Sequence, residues 1–148
     1  MRYVLDTNAA SALMKGDARF TRRLRRVSSG DVGIPQPVLA EIAYGLERLP
    51  KSKRRRALAE RFELIRGEIG RCAWTDKVSD QFGTVKAALE KRGERIEDFD
   101  AAIAAHALAE SAVLITSNLN HMIRIHGLKV EDWGRISDSS GLCNVEAL

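Results

Sequence analysis

Arg2 to Asp6 (RYVLD) is a short apolar run that ends in a carboxylate and passes directly into the helix-like ASALMKG. A strand, an acid at its carboxyl tip and a helix in immediate succession make an α/β opening. The rest of the chain repeats that alternation. Asp17 is placed to cap a helix running to about Ser28, Gly30 breaks it, and VGIP forms a second strand. Gln36 to Leu49 reads as a helix closed by Pro50, Lys51 to about Ile69 as another, RCAW as a brief strand, and Asp76 to Arg92 as helix again. The alanine-rich Asp98 to Glu110 has high helix propensity, with Asp98 suited to cap it, and leads into the strand VLIT. The expectation is a three-layer α/β/α domain with a central, mainly parallel sheet of short strands. Its ligand site then lies beyond the carboxyl ends of the strands.

The chain's 148 residues, 45% hydrophobic and 30% charged, suit one globular domain spanning 1–148, with 134–148 as a loosely held polar tail. No stretch has the roughly 20 apolar residues of a membrane span, and MRYVLDTN turns acidic before a signal-peptide core forms, so the expectation is a cytoplasmic protein without membrane contact. Cys72 and Cys143 lack metal-ligand spacing and read as reduced thiols. The net charge of +4 is concentrated in two clusters, Arg22, Arg23, Arg25 and Arg26, and Lys51, Lys53, Arg54, Arg55 and Arg56. Each cluster suits a solvated helix face or the binding of a polyanion's phosphates without sequence choice.

Three acids stand among apolar residues: Asp6 at the end of the first strand, Glu41 within VLAEIAYGL, and Asp100 near the start of the alanine-rich helix. A carboxylate turned inward must be paired, protonated or bound to a cation. Two of them about 4 Å apart repel by roughly 4 kcal/mol at an effective dielectric of about 20, which a divalent ion relieves. Oxygen-only ligands suit magnesium or manganese. Asp100, Ile103, Ala104 and Ala107 share a helix face, whereas His106 points away and reads as structural; His126 has no assigned role.

The order LDTN, an acid in an apolar helix at Glu41, DAAIAAHAL from Asp100 and LITSN at a late strand resembles the PIN-domain ribonucleases, and within them the VapC-type (FitB-like) toxins of toxin–antitoxin pairs. The resemblance extends to about Trp133. It implies that Asp6, Glu41 and Asp100 hold one or two magnesium or manganese ions, with Thr7 and Asn8 in support. The family's segment T-x-N-x-x-D-F reads here Thr116, Ser117, Asn118, Leu119, Asn120, His121, Met122, so His121 replaces an aspartate while Thr116 and Asn118 remain as polar site residues. An imidazole is a poorer partner for magnesium. The substitution is explained by activity with three carboxylates, by a shift toward manganese, or by a weakened nuclease kept for partner binding.

The implied chemistry is endoribonucleolytic cleavage by metal-activated water, leaving 5′-phosphate and 3′-hydroxyl ends. The implied partners are an RNA substrate, a VapB-type antitoxin, a second copy in a homodimer, and operator DNA reached only through the antitoxin. The competing reading is a catalytically weakened scaffold that binds the antitoxin in autoregulation. A haloacid-dehalogenase-like phosphatase needs a second aspartate where Asn8 stands, and no glycine-rich turn follows the first strand to make a Rossmann site.

Overall fold

The computed structural model describes residues 1–135. The tail expected to be loosely held lies almost wholly beyond them, as does Cys143. In chain order the elements are β1 (Tyr3–Leu5), α1 (Thr7–Met14), α2 (Ala18–Leu24), a 3-10 turn at Ser29–Asp31, β2 (Val32–Pro35), α3 (Gln36–Arg48) and α4 (Lys53–Glu68). There follow β3 (Gly70–Cys72), α5 (Asp76–Lys91), α6 (Asp98–Ala109), β4 (Val113–Ile115), α7 (Leu119–Met122) and β5 (Lys129–Glu131).

The strands form one sheet in the order β3-β2-β1-β4-β5, and every pairing is parallel. This is the expected three-layer α/β/α architecture, with the sheet wholly rather than mainly parallel. A parallel sheet covered on both faces needs apolar residues in succession rather than in alternation. Val4, Leu5, Ile34, Leu114 and Ile115 are accordingly fully buried. The chain steps outward from β1 through β2 to β3, then crosses to the other side of β1 for β4 and β5. The strand order thus reverses between β1 and β4, opening a crevice beyond their carboxyl ends.

α6 lies between the sheet and α5, with contacts to β1, β4 and α3. Ala101 through Ala107 are all buried, and such small side chains allow close approach on every face. Its expected cap is displaced by one residue. Glu97 is the N-cap and makes no side-chain cap bond, while Asp98 is already helical and turns its carboxylate to Lys86 at 2.8 Å. The lysine attracts that carboxylate more strongly than the helix's own N–H groups. The expected helix to Ser28 ends at Leu24, and the expected strand RCAW is shifted to Gly70–Cys72. α7 and β5 had no counterpart in the sequence reading.

Candidate active site

The switch point brings together side chains from four elements. Leu5 and Ile115 are paired across β1 and β4, so the residues that follow them, Asp6 and Thr116, stand side by side at the carboxyl edge. α3 leaves the carboxyl end of β2, which sets Glu41 on its second turn near that edge; α6 runs into β4 and therefore presents its first turn, with Asp100, at the same edge. Helix direction in a parallel sheet thus converges acids that are far apart in sequence.

Asp6 is the N-cap of α1, its carboxylate accepting a 2.8 Å hydrogen bond from the Ala9 N–H. It is only 4% exposed. Burial pushes its carboxyl up to about 6; hydrogen bonds from the Thr116 hydroxyl and the Ala9 N–H pull the other way, while the charges of Asp100 and Glu41 push further up. Asp100 and Glu41 therefore both lie within electrostatic reach of Asp6. Burial also raises the Asp100 carboxyl, opposed chiefly by His121, with Glu97 raising it and Arg124 lowering it. Glu41 is held by a hydrogen bond from the Thr7 hydroxyl to Oε2. Thr116 is almost inaccessible, and its Oγ1 also accepts the Asn118 N–H at 2.9 Å.

The other residues singled out from the sequence fall in distinct places. Asn8 and Asn118 are exposed at the starts of α1 and α7, and the Asn118 side chain makes no cap bond. His121 has its Nε2 3.9 Å from an Asp100 oxygen. The basic clusters stand apart from the acids. Arg22, Arg25 and Arg26 line a concavity of about 510 Å³ with Gly16, beyond the far end of α1, roughly 12 Å along the helix axis from Asp6. Arg23 instead pairs with Glu131 at 3.5 Å and lies over the Trp133 ring. Lys51, Lys53, Arg54 and Arg56 are exposed past the far end of α3, and Arg55 is tied to Glu47 and the Leu49 carbonyl.

His106 is fully buried, as a structural residue, edge-on to Trp74 with a 5.3 Å centroid separation. Neither ring nitrogen has a hydrogen-bond partner among the described residues, and burial lowers its pKa. Arg95 and Arg124, next to His121, were not singled out from the sequence. Their sole sequence signal is Arg124 three residues beyond His121, one helical turn away.

The carboxylate donors fit a hard divalent cation: they are oxygen-only, and burial shields Asp6 and Asp100 from water and raises both carboxyls. Among the described residues no three His, Cys, Asp or Glu side chains are already drawn into a coordination shell. Glu41 instead engages Thr7, and Asp100 faces His121.

Comparison with known proteins agrees with this geometry. The family model of the PIN domain matches residues 3–127. The chain is similar to ribonuclease VapC2 of Haemophilus influenzae, 32% identical over 133 residues that cover 90% of this chain and 98% of that protein. It is also similar to the tRNA(fMet)-specific endonuclease VapC of Shigella flexneri, 27% identical over 133 residues with the same coverage. Among solved structures, VapBC2 from Rickettsia felis bound to a DNA fragment from its promoter superposes with a TM-score of 0.79 at 29% identity, covering 90% of this chain and 99% of that one.

Proposed function

The chain belongs to the PIN-domain family, among its VapC-type ribonucleases, and we propose that it is the toxin of a type II toxin–antitoxin pair. In this reading residues 1–148 act as one cytoplasmic domain that hydrolyses RNA phosphodiester bonds with magnesium or manganese. The observation that carries the reading is the buried Asp6 carboxyl, pushed up to about 6 in the company of Asp100 and Glu41 at the switch point of the sheet. A fold that buries one acid where two others repel it has prepared a place for a cation.

Asp6, Glu41 and Asp100 would hold the ion. When bound, magnesium or manganese supplies Lewis-acid chemistry, lowering the pKa of water and neutralising charge on a phosphodiester. The protein's own part is orientation. The Thr116 hydroxyl and the Ala9 N–H favour the ionised form of Asp6 and fix its rotamer. Thr7 engages Oε2 of Glu41, leaving Oε1 for the cation or for the proton of the attacking water. Attack by water requires no nucleophilic side chain and leaves 5′-phosphate and 3′-hydroxyl ends. The substrate class is structured RNA, in line with the transfer RNA named for the Shigella relative. The distant basic clusters on and beyond α2 and before α4 would then meet phosphates remote from the cleaved bond.

The Rickettsia neighbour is a complex with promoter DNA, and the same organisation is proposed here: a dimer held by an antitoxin that contacts operator DNA. A basic antitoxin side chain reaching the carboxylates would inhibit by displacing the cation. The scaffold reading is favoured by one observation, the His121 imidazole facing Asp100. The test is cleavage of a mixed RNA pool by purified protein in magnesium, manganese or EDTA, beside Asp6→Asn and Asp100→Asn. Metal-dependent cleavage lost in both variants supports the nuclease. Inactivity of the wild type together with antitoxin binding would leave the scaffold.

A further inference from the structure

We infer that Arg124, with Arg95 beside it, is a positioning residue that seats a backbone phosphate of the RNA next to the carboxylate site; this rests on the ribonuclease reading. Arg124 follows α7 and is half-buried. Its Nε donates to the His121 carbonyl at 2.9 Å and its Nη2 to the Arg95 carbonyl at 2.8 Å. The same Nη2 lies 3.2 Å from His121 Nε2. The guanidinium is thus bracketed by the α7 turn and the loop joining α5 to α6. A second tie, from Arg92 Nη2 to the Arg124 carbonyl at 2.6 Å, fixes the backbone from the same loop.

The protein partners of this guanidinium are two backbone carbonyls and the His121 ring. Among the described residues Arg124 forms no ion pair, and its Nη1 has no hydrogen-bond partner. Its charge nevertheless reaches Asp100. A guanidinium fixed in orientation by two carbonyls, with one edge unspent and no counter-ion, is prepared for an anion with two oxygens to offer. Beside it opens a groove of about 440 Å³ whose lining includes Arg95, Ile96, Glu97 and His121. Arg95 is exposed and likewise has no ion pair among the described residues. The groove also carries acids: Asp98 is paired with Lys86, and Glu90 and Glu97 stand in the same lining without an ion pair among the described residues. The position at the rim of the carboxylates assigns Arg124 to a phosphate flanking the cleaved one, where a fixed cation aligns the strand without competing with the metal for the acids.

The experiment reads binding, so it is scored whether or not the protein cleaves. The anisotropy of a labelled single-stranded oligoribonucleotide is measured in EDTA across a salt series, for the full chain and for Arg124→Gln, Arg124→Lys and Arg95→Gln. Expected are about tenfold weaker binding for Arg124→Gln and a loss of about 0.7 from its log–log salt slope, the signature of one released counterion on a single strand. Arg124→Lys retains the slope. A tie between loops alone would lower the thermal midpoint of Arg124→Gln but leave the slope unchanged. Unaltered affinity and slope in Arg124→Gln, or a wild type that binds no RNA at low salt, overturns the assignment. Loss of antitoxin binding with RNA binding intact does so as well, by giving Arg124 to the other partner. Metal-dependent cleavage with normal RNA affinity in Arg124→Gln would sink this inference and leave the nuclease standing.

Discussion

Asp6→Asn is expected to make the metal-free protein more stable while removing its activity. The carboxyl sits at about 6 in the fold against an ordinary 3.8, and at roughly 1.4 kcal/mol per pKa unit the ionised form is held at a cost of about 3 kcal/mol. Because the folded pKa is raised, the native state binds the proton more tightly than the unfolded chain. Stability therefore falls as pH rises from about 4 through about 6, then levels off. Asparagine caps a helix as well as aspartate does, so the bond from the Ala9 N–H survives. The substitution forfeits the attraction of a full charge to the N-terminus of α1, worth about 0.3–1 kcal/mol. The net gain at pH 7.5 is about 2 kcal/mol, or a rise of roughly 4–8 °C in the thermal midpoint for a domain of this size. Thermal melts of both proteins in EDTA at pH 7.5 and pH 4.5 check this. The advantage should shrink to about 1 kcal/mol or less at the lower pH, and added manganese should raise the midpoint of the wild type alone. A variant no more stable than wild type at pH 7.5, or an advantage independent of pH, would refute the reasoning.

Three further outcomes follow from the same contacts. Thr7→Val removes the donor that orients Glu41 and should lower metal-dependent cleavage by about 10- to 100-fold with little change in fold, while Thr7→Ser retains activity; initial rates at saturating manganese decide it. The buried His106, its pKa lowered and both ring nitrogens unpartnered, must stay neutral in the fold. Stability is therefore full above the unfolded pKa of about 6.5 and lost as pH falls below it, so His106→Leu should melt above wild type at pH 5.5 by more than at pH 8. The Cys72 thiol, buried and pushed up to about 12, should resist a thiol reagent at pH 8 in a Cys143→Ser background until denaturant is added.

Asp6 was legible because an acid closing the first strand of an α/β chain can lie only at the carboxyl edge. Glu41 and Asp100 were legible one step later, since one acid occurs early in the helix after β2 and the other early in the helix before β4. What brings them together is the reversal of strand order beside β1, and no local pattern encodes that. α7 and β5 escaped notice for a different reason. A four-residue helix has no period to detect, and Lys129–Glu131 pairs only along one edge of the sheet, with side chains too polar to mark a strand. The Asp98 cap failed because Lys86, twelve residues earlier, attracts the same carboxylate. Arg124 was invisible as a site residue because its orientation depends on one carbonyl from the α7 turn and one from the loop before α6. The two arginine- and lysine-rich runs, the most conspicuous charge in the sequence, lie at the opposite ends of α1 and α3 from the acids.

The central claim is that Asp6, Glu41 and Asp100 together hold a divalent cation. Manganese binding followed by electron paramagnetic resonance tests it without reference to any substrate, with wild type compared against Asp6→Asn and Asp100→Asn at pH 7.5. Saturable binding by the wild type and at least tenfold weaker binding by each variant are expected. Equal manganese affinity in all three proteins, or no binding by the wild type at millimolar metal, would contradict it.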